Sequence, residues 1–279
     1  MKLQLSTLLS AAALCGGLLS SGQVLAQGTW DFGTAACNPG GTPATASCAI
    51  GTVTATISAW GNTGAGSAFV QGSLAEFDPN GFGAYTGSNE TGTNAHHAFD
   101  NRTTNCGTGS ATTNCGGSVE AMLLNFGSAK MSLSQVSIGY GNDADLSLYR
   151  WDGAAGGPTM TLTTAVSGTG AVSGWSLVGS NDMDAVNPYN TGNNKYSSYF
   201  LITTFFGATS GNLDSGNDAF KVRTITANVC TGTLTGGTGS AGGNGATCGT
   251  TGVPEPGSLA LVGLALVGGV AARRRSLRA

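Results

Sequence analysis

The segment AIGTVTATISAW, residues 49–60, shows the pattern that decides the fold. Its apolar side chains recur at nearly every second position, with threonine and serine between most of them: Ile50, Val53, Ala55, Ile57 and Ala59. A period of two is that of a β-strand with one apolar and one polar face. Such a strand buries its apolar face only against a second layer, so the segment predicts two stacked sheets.

Eight further segments have strand-like character and lie between clusters of Gly, Asn, Asp and Ser. They are residues 68–77, 119–126, 133–140, 145–151, 159–166, 174–178, 198–206 and 220–229. No long segment has helical periodicity. We therefore expect an all-β, antiparallel, jelly-roll-like sandwich over residues 27–230, with long Gly/Asn-rich loops such as residues 81–117. A β-helix is the alternative architecture, although no fixed-period repeat favours it.

Composition limits the classes of protein to consider. The chain has 279 residues, of which 47 are glycine and only 9% are charged. The glycines follow no G-X-Y period, which excludes collagen. A hydrophobic fraction of 40% is too high for a wholly disordered chain. The formal charge of −3 argues against a nucleic-acid partner, because such binding needs a basic surface.

The N-terminus predicts a secretory signal peptide over residues 1–26. Lys2 precedes an apolar run from Leu8 to Leu19, and the small residue Ala26 ends the segment. Glycines within the run disfavour the alternative, which is a buried N-terminal helix. We expect secretion through the inner membrane, with cleavage after Ala26.

The C-terminal residues 253–279 consist of three successive parts. The motif Pro254-Glu255-Pro256 comes first, and an almost unbroken apolar run over residues 259–272 follows it. As a helix, residues 258–272 would be about 22 Å long, which is less than the roughly 30 Å hydrocarbon core of a membrane. A basic stop, which resists crossing, closes the chain: Arg273, Arg274, Arg275 and Arg278. This combination is typical of a processing signal.

The tail resembles the PEP-CTERM sorting signal of Gram-negative bacteria. The resemblance implies recognition by an exosortase, a membrane cysteine transpeptidase, with cleavage near Pro254-Glu255-Pro256. It also implies transient contact with the inner membrane through the short C-terminal helix, and a final place at the cell surface or in the extracellular matrix. The family occurs in bacteria that make exopolysaccharide. An ordinary C-terminal membrane anchor is the alternative.

Six cysteines lie outside the predicted signal peptide, and an even number in a secreted chain predicts disulfides. Their spacing favours three local pairs: Cys37–Cys48, Cys106–Cys115 and Cys230–Cys248. A zinc site is the alternative, but no pair has CxxC spacing. Residues 231–252 are rich in Gly, Thr and Ser and predict a flexible linker. A disulfide between Cys230 and Cys248 would fold that linker back on itself.

Known catalytic motifs are absent from the sequence. We find no GxSxG, no HExxH, no phosphate loop and no GxGxxG after a strand. The only histidines, His96 and His97, are adjacent in a polar segment. We therefore expect no enzymatic activity, although the two carboxylates of a glycosidase leave no motif in a sequence.

Clusters of Asp and Asn at strand ends are candidate ligands for calcium. The leading cluster is Asp143 with Asp145, completed by Asp100 or Asn101, and residues 181–184 and 214–218 are similar. Calcium takes six to eight oxygen ligands, and carboxylates at positions i and i+2 of a strand point to the same side. Asp and Asn are equally ordinary turn residues, and no cluster matches an EF-hand. Structural calcium is the one cofactor that the sequence suggests.

Aromatic rings are candidates for sugar binding, since a flat ring covers the apolar face of a sugar. Most of them fall within predicted strands, where packing in the core is the default. Trp151 precedes the turn Asp152-Gly153 and is the candidate sugar contact. Packing in the core or at its rim is nevertheless the favoured interpretation of this side chain.

Residues 96–226 resemble one exosortase-dependent surface protein family. The resemblance rests on HAFDN at 97–101, EAMLLNF at 120–126, VSIGY at 136–140 and DADLSLY at 143–149. GW at 174–175, SYFLI at 198–202 and DAFKV at 218–222 continue it in the same order. The chain departs from the family at Tyr140 and Phe200, where tryptophan is expected. The resemblance implies a fold and a location, but no activity.

These features together predict a non-catalytic, exported surface or matrix protein that an exosortase processes and that associates with exopolysaccharide. A carbohydrate-binding module is the alternative function. A glycoside hydrolase comes third.

Overall fold

Seventeen β-strands form within the residues that the computed structural model describes, which are 27–34, 36–37, 41–61, 69–77, 79–86, 98–101, 119–154, 156–158, 160, 174–205, 211–213, 218–230, 232–238, 243–249 and 265. In chain order they are β1 (Gln27–Asp31), β2 (Thr45–Ile50), β3 (Val53–Gly61), β4 (Val70–Gln71), β5 (Ser73–Phe77), β6 (Gly81–Tyr85), β7 (Phe99–Asp100), β8 (Glu120–Asn125), β9 (Met131–Asn142), β10 (Asp145–Trp151), β11 (Trp175–Asp182), β12 (Tyr189–Asn190), β13 (Lys195–Tyr196), β14 (Tyr199–Thr204), β15 (Ala219–Val229), β16 (Thr233–Thr235) and β17 (Ala246–Gly249).

The strands form two seven-stranded sheets and one small sheet. Sheet A has the order β12-β9-β15-β6-β5, and β1 and β7 also pair with β15. Sheet B has the order β11-β10-β14-β8-β3-β2, and β4 pairs with β3. The third sheet has the order β13-β17-β16. The strand pairs of sheets A and B are antiparallel, so the prediction of an all-β antiparallel sandwich is confirmed.

The main core lies between sheets A and B. Sheet A contributes large buried side chains such as Trp30 and Phe220, and sheet B contributes Leu124 and Phe200. Phe126 meets the ring of Trp30 edge to face, with ring centroids 5.5 Å apart. Each large apolar side chain removed from water contributes about 1.5–3 kcal/mol, so this layer is the chief stabilising element of the sandwich.

A second apolar cluster covers the other face of sheet B. Its buried members come from strands of this sheet and from the segments around it: Phe69, Val119, Ala121, Leu123, Tyr149, Trp151, Met160, Trp175 and Leu201. As a result, every residue of β10 is buried. Burial on both faces explains why the segments at 119–126 and 145–151 carry large apolar or aromatic side chains in both alternating sets of positions.

The outer face of sheet A is polar, in contrast to that of sheet B. One row across four strands joins Thr29, Thr226, Gln135 and Asn190, which are register partners in that order. The Thr29 and Thr226 hydroxyls lie 3.0 Å apart, and Gln135 Nε2 donates to Asn190 Oδ1 at 3.0 Å. The face of sheet B that points away from the main core is therefore apolar and covered, whereas the corresponding face of sheet A carries hydroxyl and amide groups.

Strand β6 corrects the expectation that residues 81–117 form only loops. Gly81–Tyr85 pairs with β5 and β15, and its first four residues are buried. A Cβ at Gly81 would overlap the carbonyl oxygen of Val222, and the residue has φ +92°. Only glycine tolerates both the close contact and the positive φ. Glycine, which suggested a loop in the sequence, is therefore the residue that lets β6 lie against β15.

Several predicted segments lie outside the described residues. They are the signal peptide, the histidine pair His96 and His97, most of the predicted strand at 159–166, and the sorting tail at 253–279.

Candidate functional site

The residues that lead into the sorting tail form a docked hairpin, which we define by the described residues 232–238 and 243–249 with strands β16 and β17. Strand β17 pairs with β13 of the domain through Ala246–Tyr196 and Thr247–Lys195. Thr238 and Asn244 form an additional antiparallel bridge within the hairpin. The expectation of a flexible linker over residues 231–252 is corrected for these strands, because Ala246 and Asn244 are buried by contacts with the domain.

A disulfide between Cys230 and Cys248 joins the end of β15 to β17, with Cα atoms 5.6 Å apart. Cys37 and Cys48 form a second disulfide. Both are pairs that the spacing in the sequence favoured. Cys106 and Cys115 lie outside the described residues. The first disulfide therefore closes a covalent loop around nearly the whole docked hairpin.

Asn244 anchors the hairpin to the sandwich through its side-chain amide, and only 1% of the residue is exposed. Its Oδ1 accepts hydrogen bonds from Lys130 Nζ at 2.7 Å and from the Ser198 backbone N–H at 3.1 Å. Its Nδ2 donates to the Gly153 carbonyl oxygen at 3.1 Å. Burial lowers the pKa of Lys130. A buried amide costs free energy unless it is paired, so these contacts fix both the position and the orientation of Asn244.

Asp152 forms a second contact between hairpin and sandwich. Its carboxylate pairs with Arg150, whose Nε lies 2.6 Å from Oδ1, and accepts a hydrogen bond from Ser176 at 2.6 Å. Burial raises the pKa of Asp152, but the hydrogen bonds from Arg150 and Ser176 outweigh it and leave the pKa below its ordinary value. The Asp152 carbonyl oxygen accepts a hydrogen bond from Thr238. Gly245 N–H donates to the Tyr196 carbonyl oxygen at 2.8 Å.

The predicted calcium ligands lie at the opposite end of β10 and β14. Asp143 is exposed, has φ +50° and precedes β10, whereas Asp145 is buried as its first residue. The expectation that the two carboxylates point to one side of a strand is therefore corrected, because Asp143 is not part of the strand. Asp184 accepts a hydrogen bond from the Ala144 N–H, which is a role in a turn.

Asp218 is the residue that connects this end of the two sheets, and its exposed fraction is 0%. Its Oδ1 accepts from the Asp145 N–H at 3.0 Å, and its Oδ2 accepts from Asn101 Nδ2. Its own N–H donates to Asn101 Oδ1 at 3.0 Å. Burial raises the pKa of Asp218 to about 8. We call these three residues, Asn101, Asp145 and Asp218, the acidic clasp.

The clasp brings together two of the predicted ligands, Asn101 and Asp145, around a residue that the sequence placed in a different cluster. The remaining predicted ligand, Asp100, donates its backbone N–H to Glu120 Oε2 at 3.1 Å. Among the residues that the structure describes, no three acidic, histidine or cysteine side chains are arranged to hold a metal ion. In the clasp, Asp218 is hydrogen-bonded to both Asn101 and Asp145 within the chain.

Trp151 is buried in the second apolar cluster, with 9% of the residue exposed. It packs edge to face on Trp175, with ring centroids 5.3 Å apart, and its Nε1 donates to the Ala154 carbonyl oxygen at 3.0 Å. This burial is the packing at the core that the sequence also favoured, and it leaves little of the ring accessible to a sugar. The turn next to Trp151 does not show what covers the sheet, so the sequence kept both interpretations.

Comparison with known proteins identifies the tail. The PEP-CTERM protein-sorting motif matches residues 252–275, so the prediction of this motif is confirmed. The search of curated proteins and the search of solved structures gave no match. Within the described part of the chain, no helix has the length and apolar character needed to cross a membrane. The motif marks the chain as an exported protein that an exosortase processes, addressed to the cell surface or the extracellular space.

Proposed function

We propose that this protein is a non-catalytic component of the cell surface or extracellular matrix, released from its membrane tail by an exosortase and associated with exopolysaccharide. The observation that carries the proposal is the sorting motif at residues 252–275. Two disulfides suit the domain to the oxidising space outside the inner membrane. The predicted resemblance of residues 96–226 to an exosortase-dependent surface protein family agrees with this role.

Processing is tested in a host that carries the exosortase. We expect mass spectrometry of the native protein to find a C-terminus near Pro254-Glu255-Pro256 and no peptide that contains Arg273. The variant Pro254→Ala/Glu255→Ala/Pro256→Ala should keep the arginines and stay in the membrane fraction. Thr250→Ala/Thr251→Ala is the matched control and should be processed normally. Arginine-containing peptides in most wild-type molecules would contradict the proposal.

Association with polysaccharide is tested by comparing strains with and without exopolysaccharide. The processed protein should stay with washed cells or matrix in the first strain and pass into the medium in the second. Equal distribution in both strains would remove the polysaccharide from the proposal.

A carbohydrate-binding module is a second candidate, and the polar outer face of sheet A favours it. The row of Thr29, Thr226, Gln135 and Asn190 has two exposed members, Thr29 and Asn190, whose hydroxyl and amide groups match the hydrogen-bonding groups of a sugar chain. Thr29→Val/Asn190→Ala changes two exposed members of the row. If this candidate is right, the variant loses binding on a glycan array. The exposed apolar residue Leu177, on sheet B, offers the control Leu177→Ala.

A further inference from the structure

The tether between the folded domain and the sorting motif is short. Only four residues lie between Gly249, the last residue of β17, and Pro254, so five Cα–Cα steps join them. A fully extended chain of that length spans about 17 Å. If the polypeptide were instead free from Cys230 onward, 24 residues would lead to Pro254 and their full extension would be about 80 Å. Docking of the hairpin therefore decides between a short attachment and a long stalk.

Three independent kinds of contact hold the hairpin in place. The Cys230–Cys248 disulfide is covalent, the pairing of β17 with β13 uses backbone hydrogen bonds, and Asn244 uses its buried amide. Their partners lie in β13, just after β10 and β15, and just before β9 and β14. Release of the hairpin therefore requires the loss of contacts with several parts of the sandwich at once.

We propose that the docked hairpin is a positioning element, which shortens the free chain that leads to Pro254 from 24 Cα–Cα steps to five. The domain is then displayed next to the membrane during processing, and next to its attachment point afterwards, instead of on a flexible stalk. Asn244 and Cys248 are the positioning residues. This inference rests on the proposed function for the role of the motif, but its geometry is testable without processing.

The experiment uses the full chain, purified in detergent from a host that lacks an exosortase. A cysteine introduced by Gly252→Cys carries a dansyl acceptor, and the native tryptophans serve as donors. Trp151 and Trp175 are close to the hairpin, because Asn244 contacts the carbonyl oxygen of Gly153. Energy transfer should fall at least about twofold in Asn244→Ala/Cys230→Ser/Cys248→Ser, because the reach of a flexible chain grows with its length.

A second variant guards against misfolding of the first. Ten Gly/Ser residues inserted between Thr250 and Thr251 leave all hairpin contacts intact, and transfer should again fall at least about twofold. Asn190→Ala is the matched control, since Asn190 is exposed on β12, and it should transfer like the wild type. Equal transfer in the wild type and the triple variant, or no effect of the insertion, would overturn the inference. Failure of tail cleavage in cells would instead count against the proposed function and would leave these distances unchanged.

Discussion

At the scale of single residues, Asp218 and Lys221 are ionisable side chains that folding removes completely from water. Burial raises the pKa of Asp218 from 3.8 to about 8. Burial lowers the pKa of Lys221 from 10.5 to about 8, and its Nζ lies 5.1 Å from the centre of the Tyr140 ring. Burial therefore favours the neutral form of both side chains relative to the unfolded state, although Asp218 is an acid and Lys221 is a base.

These two pKa shifts predict a minimum of stability near pH 8. Between pH 3.8 and about 8 the folded state holds a proton on Asp218 that the unfolded state has lost, so the free energy of unfolding falls as the pH rises. From about 8 to 10.5 the unfolded state holds the extra proton, on Lys221, so stability rises again. Urea denaturation of the tail-less domain at a series of pH values measures this profile.

Substitutions separate the two limbs of the profile. Asp218→Asn should flatten the dependence below pH 8 and leave the rise above it, and Lys221→Met should do the reverse. A profile whose slope is the same in the wild type and in Asp218→Asn would show that this carboxyl does not control the acidic limb.

Structural calcium at Asp143 and Asp145, completed by Asp100 or Asn101, remains a proposal. It predicts that millimolar calcium raises the melting temperature by several degrees, because an ion that binds only the folded state stabilises it by about 2.7 kcal/mol at a hundredfold excess over its Kd. Asp143→Asn/Asp145→Asn should abolish the increase, whereas the control Asp31→Asn, which lies outside the candidate ligand clusters, should retain it. Identical melting curves in calcium and in chelator would end the proposal.

At the scale of elements, Asn244 shows how one side chain holds a hairpin in place. Asn244→Ala removes an acceptor from Lys130 and from the Ser198 N–H, both of which face a buried position. We expect the free energy of unfolding to decrease by about 2 kcal/mol. Asn190→Ala changes the same residue type at an exposed site and should have an effect below about 0.5 kcal/mol. Equal effects of the two variants in denaturant titrations would contradict this role of Asn244.

The elements also show which parts of the structure could be predicted from the sequence. Strands β3, β10 and β15 were predictable because alternation and β-branched or aromatic residues are local signals. Strand β6 was missed because it pairs in the sheet only through the close approach of Gly81 to Val222, a residue that is distant in the sequence. The hairpin was missed for a similar reason. Its Gly/Thr/Ser composition is that of a linker, and only long-range partners such as Lys130 make it a folded element.

The candidate site was predicted unevenly. The sorting motif is a linear signal, so the sequence alone revealed it. The acidic clasp depends on residues 101, 145 and 218, which only the stacking of two sheets brings together. Packing of Trp151 was predictable from its position in a strand, but the sequence does not show that sheet B is covered on both faces.

At the scale of the whole molecule, the docked hairpin moves the end of the folded domain from residue 230 to residue 249. We expect the fragment 27–249 to unfold cooperatively and with the same stability as the chain ending at residue 253. The fragment 27–230 should be less stable by at least about 2 kcal/mol, because it lacks Asn244 and the Cys230–Cys248 disulfide. Equal denaturation midpoints for fragments 27–230 and 27–249 would place the boundary at residue 230 after all.

Strand β1 has a consequence for the timing of folding. It begins at Gln27, directly after the predicted cleavage site, and pairs with β15, so that Thr29 and Thr226 meet although 197 positions separate them. Strand β15 also pairs with β6, β7 and β9, which makes it the centre of sheet A. Contacts between such distant segments form late and slowly. Sheet A therefore closes only after almost the entire domain has been synthesised, because β1 must wait for β15.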